Sequence, residues 1–207
     1  MGTPNSIYCS YVNKYLTMTY EGKSKEEIKD LLSEHLVDLA KNPKIKDSIL
    51  QRCRKHIQKL KTIADEIYRS SEFVKIVTTT RLLIGSKETF GWLIDELGLC
   101  WNHILDCPII TGSAIKGACR SSCEILYAIK YGLDTAKKVA DLIFGRSPEK
   151  ERIGHESLVI FSDAYPIAIG KNDVPLLERD VMAPTYAHSL REDQASPVPV
   201  SFLVIPE

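Results

Sequence analysis

The sequence has no long apolar run, no paired-cysteine motif and no excess of charge of one sign. No apolar run approaches the roughly 18 residues that a membrane-spanning helix requires, and residues 1–10 lack a basic start followed by an apolar block. We therefore expect a soluble, cytoplasmic protein with no membrane partner. The 207 residues, 44% of them hydrophobic and 26% charged, are typical of one folded domain, with room for a helical appendage.

Metal sites and disulfide frameworks are not indicated either. None of the six cysteines forms the CxxC pair of a zinc ribbon or a thioredoxin-like site. The five histidines show no ligand spacing such as H-E-x-x-H. We predict no metal and no cofactor, and we expect the cysteines to be small buried side chains in a reducing compartment.

The charge is balanced overall but uneven along the chain. Lys and Arg total 27 and Asp and Glu total 27. Residues 44–61, however, contain seven basic residues and one acidic residue, Asp47, which gives a local charge of +6. This segment predicts one basic face, and a solvated helix surface is an equally good interpretation. The basic residues are Lys44, Lys46, Arg52, Arg54, Lys55, Lys59 and Lys61.

Two amphipathic helices are predicted near the start of the chain. Ser24 followed by Glu27 is a capping-box pattern, and apolar residues then recur at helical spacing as far as Asn42. A second helix, with an apolar stripe, is predicted to begin near Asp47. We predict that residues 1–72 form a helical segment, built on a hairpin of these helices and packed on the rest of the chain.

The remaining sequence alternates strand and helix patterns. Residues 73–84 are rich in β-branched side chains and predict a first core strand. Two helices, over 111–132 and 134–144, are expected next, each ending at a glycine. Residues 158–161 predict a buried strand and 198–205 another. This order predicts an α+β fold.

The segment PIITGSAIKGACR, which ends at Arg120, is the most specific stretch of the chain. A strand end, a glycine turn and a helix start bring unpaired N–H groups and the positive end of a helix dipole together. Gly112 and Gly117 allow a backbone or a ligand to approach closely, and Ser113 is expected to cap the helix. Lys116 and Arg120 share one helix face and suit phosphates. The segment predicts a phosphate-backbone site.

This segment matches parts of two enzymatic motifs but completes neither. Gly112 and Gly117 have the P-loop spacing, but Ala118 and Cys119 stand where that motif requires a lysine and a hydroxyl residue. The letters SAIK match the S-x-x-K of serine acyl-transfer enzymes, but the S-D-N and K-T-G motifs are missing. Nucleotide binding and serine hydrolysis are therefore not expected.

The segment and its surroundings resemble the RAMP superfamily of type III CRISPR complexes, in which a strand leads into an I-P-G-S-S-x-K-G-x-x-R-like turn and helix. RLLIG at residues 81–85 resembles the family's R-L-x-x-G. The stretch from Phe144-Gly145 through FSDAYP at 161–166 resembles F-G…G-x-x-x-F-x-D-A-x-P. DVMAPTY, ending at Tyr186, and PVPVSFL, ending at Leu203, are similar to the sixth-subunit branch of the type III-B (Cmr) proteins.

The resemblance covers about residues 73–205 and carries expectations about fold and function. It implies a ferredoxin-like, RRM-related domain with helical insertions over 73–207. It also implies a non-catalytic subunit that holds the guide RNA backbone toward its 3′ end and contacts neighbouring RAMP subunits, so that target RNA is met indirectly through base pairing. The residues expected to contact RNA are Gly112, Ser113, Lys116, Gly117, Arg120 and Arg81.

The sequence departs from the family pattern in three places. Thr111 stands where the family usually has Pro, although the Gly-Ser turn is kept. Tyr186 lacks the preceding His of the family, and His188 follows it instead, so no role is assigned to a His in this loop. The pattern also ends soon after Phe202, where relatives continue with another strand and helix. A truncated, split or divergent form, with a partner completing the sheet, stays open.

Two other functions stay open as well. Asp163, Asp173 and Asp180 supply carboxylates for a RAMP-type endoribonuclease acting on guide or target RNA, with His155 as a further candidate. Loop acids of this kind more often cap turns. The third hypothesis is a scaffold that contacts only protein through the basic helix.

The basic residues also have purely structural interpretations. Lys116 and Arg120 are spaced as the exposed face of any amphipathic helix would be. Arg81, at the end of a predicted strand, is equally well explained by a structural ion pair.

Overall fold

The computed structural model of the chain describes residues 6–85, 90, 98–148, 154–169, 174–182 and 199–207. The chain forms two compact units. The first unit comprises Met1–Ile109 and Tyr165–Glu207, and the second comprises Ile110–Ala164. The predicted boundary between residues 72 and 73 stays a prediction.

Three helices begin the first unit: α1 (Ile7–Tyr20), α2 (Lys25–Lys41) and α3 (Pro43–Ile67). The two predicted helices are α2 and α3, and α1 was missed by the sequence patterns. The capping box at the start of α2 is confirmed, since the Ser24 side chain accepts from the Glu27 N–H and the Glu27 carboxylate accepts from the Ser24 N–H.

The start of α3 lies earlier than predicted. The helix begins at Pro43 and not near Asp47, because proline suits the first turn of a helix and the Asn42 side chain accepts from the Lys44 N–H at 3.0 Å. The basic residues of segment 44–61 therefore all lie on one helix.

The inner faces of these helices form the core of the first unit. Phe90 and Trp101 stack within it, with ring centroids 4.1 Å apart. The buried carboxylate of Asp106 accepts from the N–H groups of Ile7 and Tyr8 at 2.6 and 2.9 Å, which neutralises the positive end of α1. The fully buried side chains of this core include Ile7, Tyr11, Leu32, Leu36, Ile49, Cys53, Leu99, Cys107, Leu177 and Leu203.

In the described part of the first unit, four strands pair into two antiparallel ribbons. β1 (Trp101–Asn102) pairs with β2 (Cys107–Pro108), and β3 (Glu178–Met182) pairs with β4 (Val200–Val204). The prediction of a strand over 198–205 is confirmed by β4. The mixture of helices and antiparallel strands confirms the α+β class, while the ferredoxin-like topology stays a prediction.

Two predicted strands are wrong. Residues 73–84 and 158–161 lie outside every strand of the described residues. Val74 is 81% exposed and Ile160 is 69% exposed, so neither stretch is a core strand here. β-branched side chains favour extended backbone, but a strand also needs a neighbour with which to share a run of hydrogen bonds. Among the described residues, 73–84 have the bridge between Leu82 and Ile205 and a hydrogen bond from the Cys100 N–H to the Ile84 carbonyl oxygen, which do not make a strand.

The second unit contains the two helices predicted for its part of the chain. They are α4 (Gly112–Tyr131) and α5 (Leu133–Phe144). Gly132 and Gly145 follow them with φ of 83° and 79°, a left-handed conformation that glycine adopts without strain. No helix in the described part of the chain has both the length and the apolar character needed to cross a membrane.

Candidate nucleic-acid interface

The start of α4 is capped by Thr111 and not by Ser113. The Thr111 side chain accepts from the Ala114 N–H at 3.3 Å, as an N-cap residue does. The Ser113 hydroxyl donates to the Thr111 hydroxyl at 3.1 Å and is exposed. The prediction that Ser113 caps the helix was wrong because threonine, at the position where the family has proline, supplies the capping oxygen.

A carboxylate already lies at this helix start. The Gly112 N–H donates to Asp163 Oδ1 at 2.8 Å, and an anion at this end of a helix is stabilised by the dipole. Ile110 and Ala164 exchange two backbone hydrogen bonds beside it, at 3.1 and 2.8 Å. The Gly112 N–H is therefore engaged within the second unit, and an incoming phosphate would meet the groups further along α4.

Gly112 is required by the packing of the chain itself. A Cβ atom at this position would lie 2.1 Å from the Phe161 carbonyl oxygen and 2.9 Å from its carbonyl carbon. Real side chains do not approach a backbone atom this closely. The glycine allows the start of α4 to lie directly against the backbone of residues 161–163.

Gly117 has no such packing reason. A Cβ atom there would meet no atom of the described residues within 4 Å, and Gly117 is exposed although it lies in the interior of α4. A glycine in a helix interior destabilises the helix by about 1 kcal/mol relative to alanine. The absence of a side chain at Gly117 therefore leaves open backbone on the surface of α4.

Ser113, Lys116 and Gly117 lie three and four residues apart and so share one face of α4. Ser113 and Gly117 are exposed, and Lys116 is half-buried. Among the residues that the structure describes, no carboxylate lies within 4.0 Å of the Lys116 ammonium group. This face, which we call the α4 patch, offers a hydroxyl, a cation and accessible backbone.

Arg120 lies one turn beyond Lys116, but its donors are engaged. Its Nε donates to Glu124 at 2.9 Å and its Nη1 to the Gly145 carbonyl oxygen at 2.7 Å. Its Nη2 donates to Asp141, and the Asp141 carboxylate raises the pKa of Arg120 above its ordinary value. Arg120 thus links α4 to the end of α5, a role that sequence patterns missed.

Arg81 belongs to the first unit. Its Nε lies 3.6 Å from Glu178 and its Nη1 lies 3.2 Å from Asp180, both on β3. The guanidinium group is about half exposed, at 52%. The structural ion pair considered from the sequence is therefore present.

Two acids of the ribonuclease hypothesis, Asp163 and Asp180, have partners within the protein. Asp163 accepts from Gly112, and Asp180 accepts from its neighbour Val181 and pairs with Arg81. Over the described ranges, no three His, Cys, Asp or Glu side chains are placed to hold a metal ion. Asp173, Tyr186 and His188 lie outside the described residues.

Comparison with known proteins places this geometry in a family. The RAMP superfamily matches residues 75–193, more than half of the chain. The CRISPR system CMR subunit Cmr6 of Saccharolobus solfataricus is 30% identical over 197 residues, which is 93% of this chain and 62% of that protein. The chain thus spans less than two thirds of that relative's length.

The chain is also similar in three dimensions to part of a solved structure. The cryo-EM structure of the type III-B Cmr-beta complex bound to cognate target RNA contains a chain that is similar, with a TM-score of 0.57 and 28% identity. The match covers 88% of this chain and 55% of that one. The resemblance inferred from the sequence motifs is confirmed: the chain belongs to the RAMP superfamily.

Proposed function

We propose that this chain is a non-catalytic subunit of a cytoplasmic type III-B CRISPR (Cmr) complex. In this role it holds the guide RNA backbone toward its 3′ end, packs against neighbouring RAMP subunits, and meets target RNA only through the guide. The similarity to Cmr6 and to a chain of a Cmr-beta complex bound to target RNA supports this assignment.

Gly117 is the observation that carries the RNA-binding part of the proposal. None of the described residues fills the space beside Gly117, so within this part of the chain a residue that destabilises the helix brings no packing benefit. Close approach of a ligand backbone to α4 would account for a glycine at this position. A phosphodiester chain suits the position, because the Lys116 ammonium and the Ser113 hydroxyl lie on the same face.

The residues proposed to contact RNA differ in the chemical groups that they present to it. Ser113, Lys116 and Gly117 form the α4 patch and contact phosphate or sugar directly. Gly112 fixes the turn before it. Arg120 and, in the first unit, Arg81 are the weakest candidates for RNA contact, because carboxylates already pair with their guanidinium groups and a phosphate would have to displace them. Such contacts hold a strand in register without reading its bases.

Gly117→Ala tests the proposal directly. The free energy of unfolding is expected to rise by about 1 kcal/mol, because alanine is the better helix residue. The affinity for single-stranded RNA is expected to fall, because the methyl group blocks close approach. Affinity is measured by fluorescence anisotropy with two labelled RNAs of equal length and unrelated sequence, and both are expected to respond equally and to stay intact.

The matched control is Ser122→Ala, an exposed position on another face of α4, for which RNA affinity should not change. If Gly117→Ala also leaves the affinity unchanged, no ligand approaches this helix face. If the protein instead shortens the RNA, and Asp163→Asn or His155→Ala abolishes this cleavage, the endoribonuclease hypothesis would be established.

A further inference from the structure

The outward face of α3 carries a strip of exposed polar and basic side chains. Relative to the buried Ile49 and Cys53, it lies on the opposite side of the helix. With a rise of about 1.5 Å per residue, the strip extends over roughly 27 Å. We call it the α3 strip, and its exposed members are Lys44, Gln51, Lys55, Gln58, Lys59 and Thr62.

Six of the seven basic residues of α3 divide into two sets, and the seventh, Lys61, has its ammonium group 5.6 Å from the centre of the Phe73 ring. Lys46, Arg52 and Arg54 donate to the carbonyl oxygens of Val174, Leu105 and Ile167, at 3.0, 3.2 and 2.8 Å respectively. These three therefore fix α3 against loops of the first unit.

The second set consists of three exposed lysines, Lys44, Lys55 and Lys59. Within the described part of the chain, none of them has a carboxylate within 4.0 Å. Their charges face solvent, on a helix that Lys46, Arg52 and Arg54 fix in position.

The charge pattern of α3 differs from that of an ordinary solvated helix. The exposed Asp47 lies three residues from Lys44, but residues 48–64 contain no Asp or Glu. Lys55 and Lys59 therefore have none of the opposite-charge pairs, three or four residues apart, that support exposed helices. Lys55 and Lys59 instead form a like-charge pair at that spacing, which destabilises a helix. The neighbouring α2 shows the contrast, with five acidic residues among its 17.

From this arrangement we propose that the α3 strip is a second RNA-binding surface, which binds the phosphodiester backbone of single-stranded RNA. A bound polyanion attracts each lysine and offsets the repulsion between them. Binding also releases the counterions that RNA otherwise holds. Gln51 and Gln58, interleaved with the lysines, can donate to phosphate and accept from sugar hydroxyl groups. This surface belongs to the first unit and is independent of the α4 patch.

The double variant Lys55→Gln, Lys59→Gln tests the strip while keeping good helix-forming residues. Its binding to labelled single-stranded RNA, measured over a salt series, should weaken. The log–log slope of affinity against salt should become shallower by about 1.4, since each lost contact removes about 0.7. The matched control removes the exposed lysines at the two ends of α2, as Lys25→Gln, Lys41→Gln, and should keep the wild-type slope.

Two outcomes would overturn the inference. If the α3 variant and the α2 control bind RNA equally while Lys116→Ala still weakens binding, the α4 patch holds RNA and the α3 strip does not. If RNA affinity is unchanged but the α3 variant no longer co-purifies with reconstituted Cmr subunits in the absence of RNA, the strip docks an acidic protein surface.

Discussion

Gly112→Ala is expected to destabilise the chain by about 3 kcal/mol, the upper end of the usual cost of overpacking. The new Cβ atom would lie 2.1 Å from the Phe161 carbonyl oxygen. This neighbour is backbone, held between α4 and the hydrogen bonds of Ala164 with Ile110, so it cannot move aside as a flexible side chain would. Relief requires that the start of α4 separate from residues 161–163, with loss of the hydrogen bond from Gly112 to Asp163.

Denaturant unfolding of wild type, Gly112→Ala and Gly117→Ala measures this effect. The two substitutions add the same methyl group to the same helix, and the structure predicts opposite signs because only one position has a close neighbour. Equal changes in the free energy of unfolding at the two positions would contradict the packing described for Gly112.

Arg120→Ala is expected to lower the free energy of unfolding by about 2 kcal/mol. The substitution removes charged hydrogen bonds to Asp141 and Glu124 and one to the Gly145 carbonyl, and a hydrogen bond to a charged group contributes about 1.5 to 3 kcal/mol. The lower part of that range applies because the Arg120 side chain is 33% exposed and solvent screens the pair. Asp141 keeps its contact with Arg146, at 3.6 Å.

The comparison variant is Lys116→Ala, one turn earlier on α4. Because no carboxylate of the described residues pairs with Lys116, its removal is expected to change the free energy of unfolding by less than about 0.5 kcal/mol. Arg120→Lys should fall between wild type and Arg120→Ala, since an ammonium group cannot make all three contacts at once. A neutral effect of Arg120→Ala on thermal unfolding would show that the ion pairs contribute nothing.

The helices were largely predictable because their signals are local. The Ser24 and Glu27 capping box and the terminal glycines at 132 and 145 are readable from a few neighbouring residues. The α4 patch follows from the same local pattern. The missed α1 has a local N-cap, since the Ser6 side chain accepts from the Cys9 N–H at 3.1 Å, but its first two N–H groups bind the distant Asp106.

The strands and ion pairs were harder, because their partners are remote in the sequence. Residues 73–84 have the composition of a strand, but they lack a ladder in the described structure. The partner of Arg120 on α5, Asp141, lies 21 residues away, and no spacing rule links the two. What sequence could not supply was the long-range pairing, both of backbone and of charge.

The α4 patch is tested most directly by the salt dependence of RNA binding. Wild type and Lys116→Ala are titrated with labelled single-stranded RNA over a range of salt concentrations, with RNA length monitored throughout. Direct contact with phosphate predicts weaker binding, a slope shallower by about 0.7, and intact RNA. An unchanged affinity and slope in the Lys116→Ala variant, whose fold is preserved, would contradict the proposal that this face of α4 holds the guide backbone.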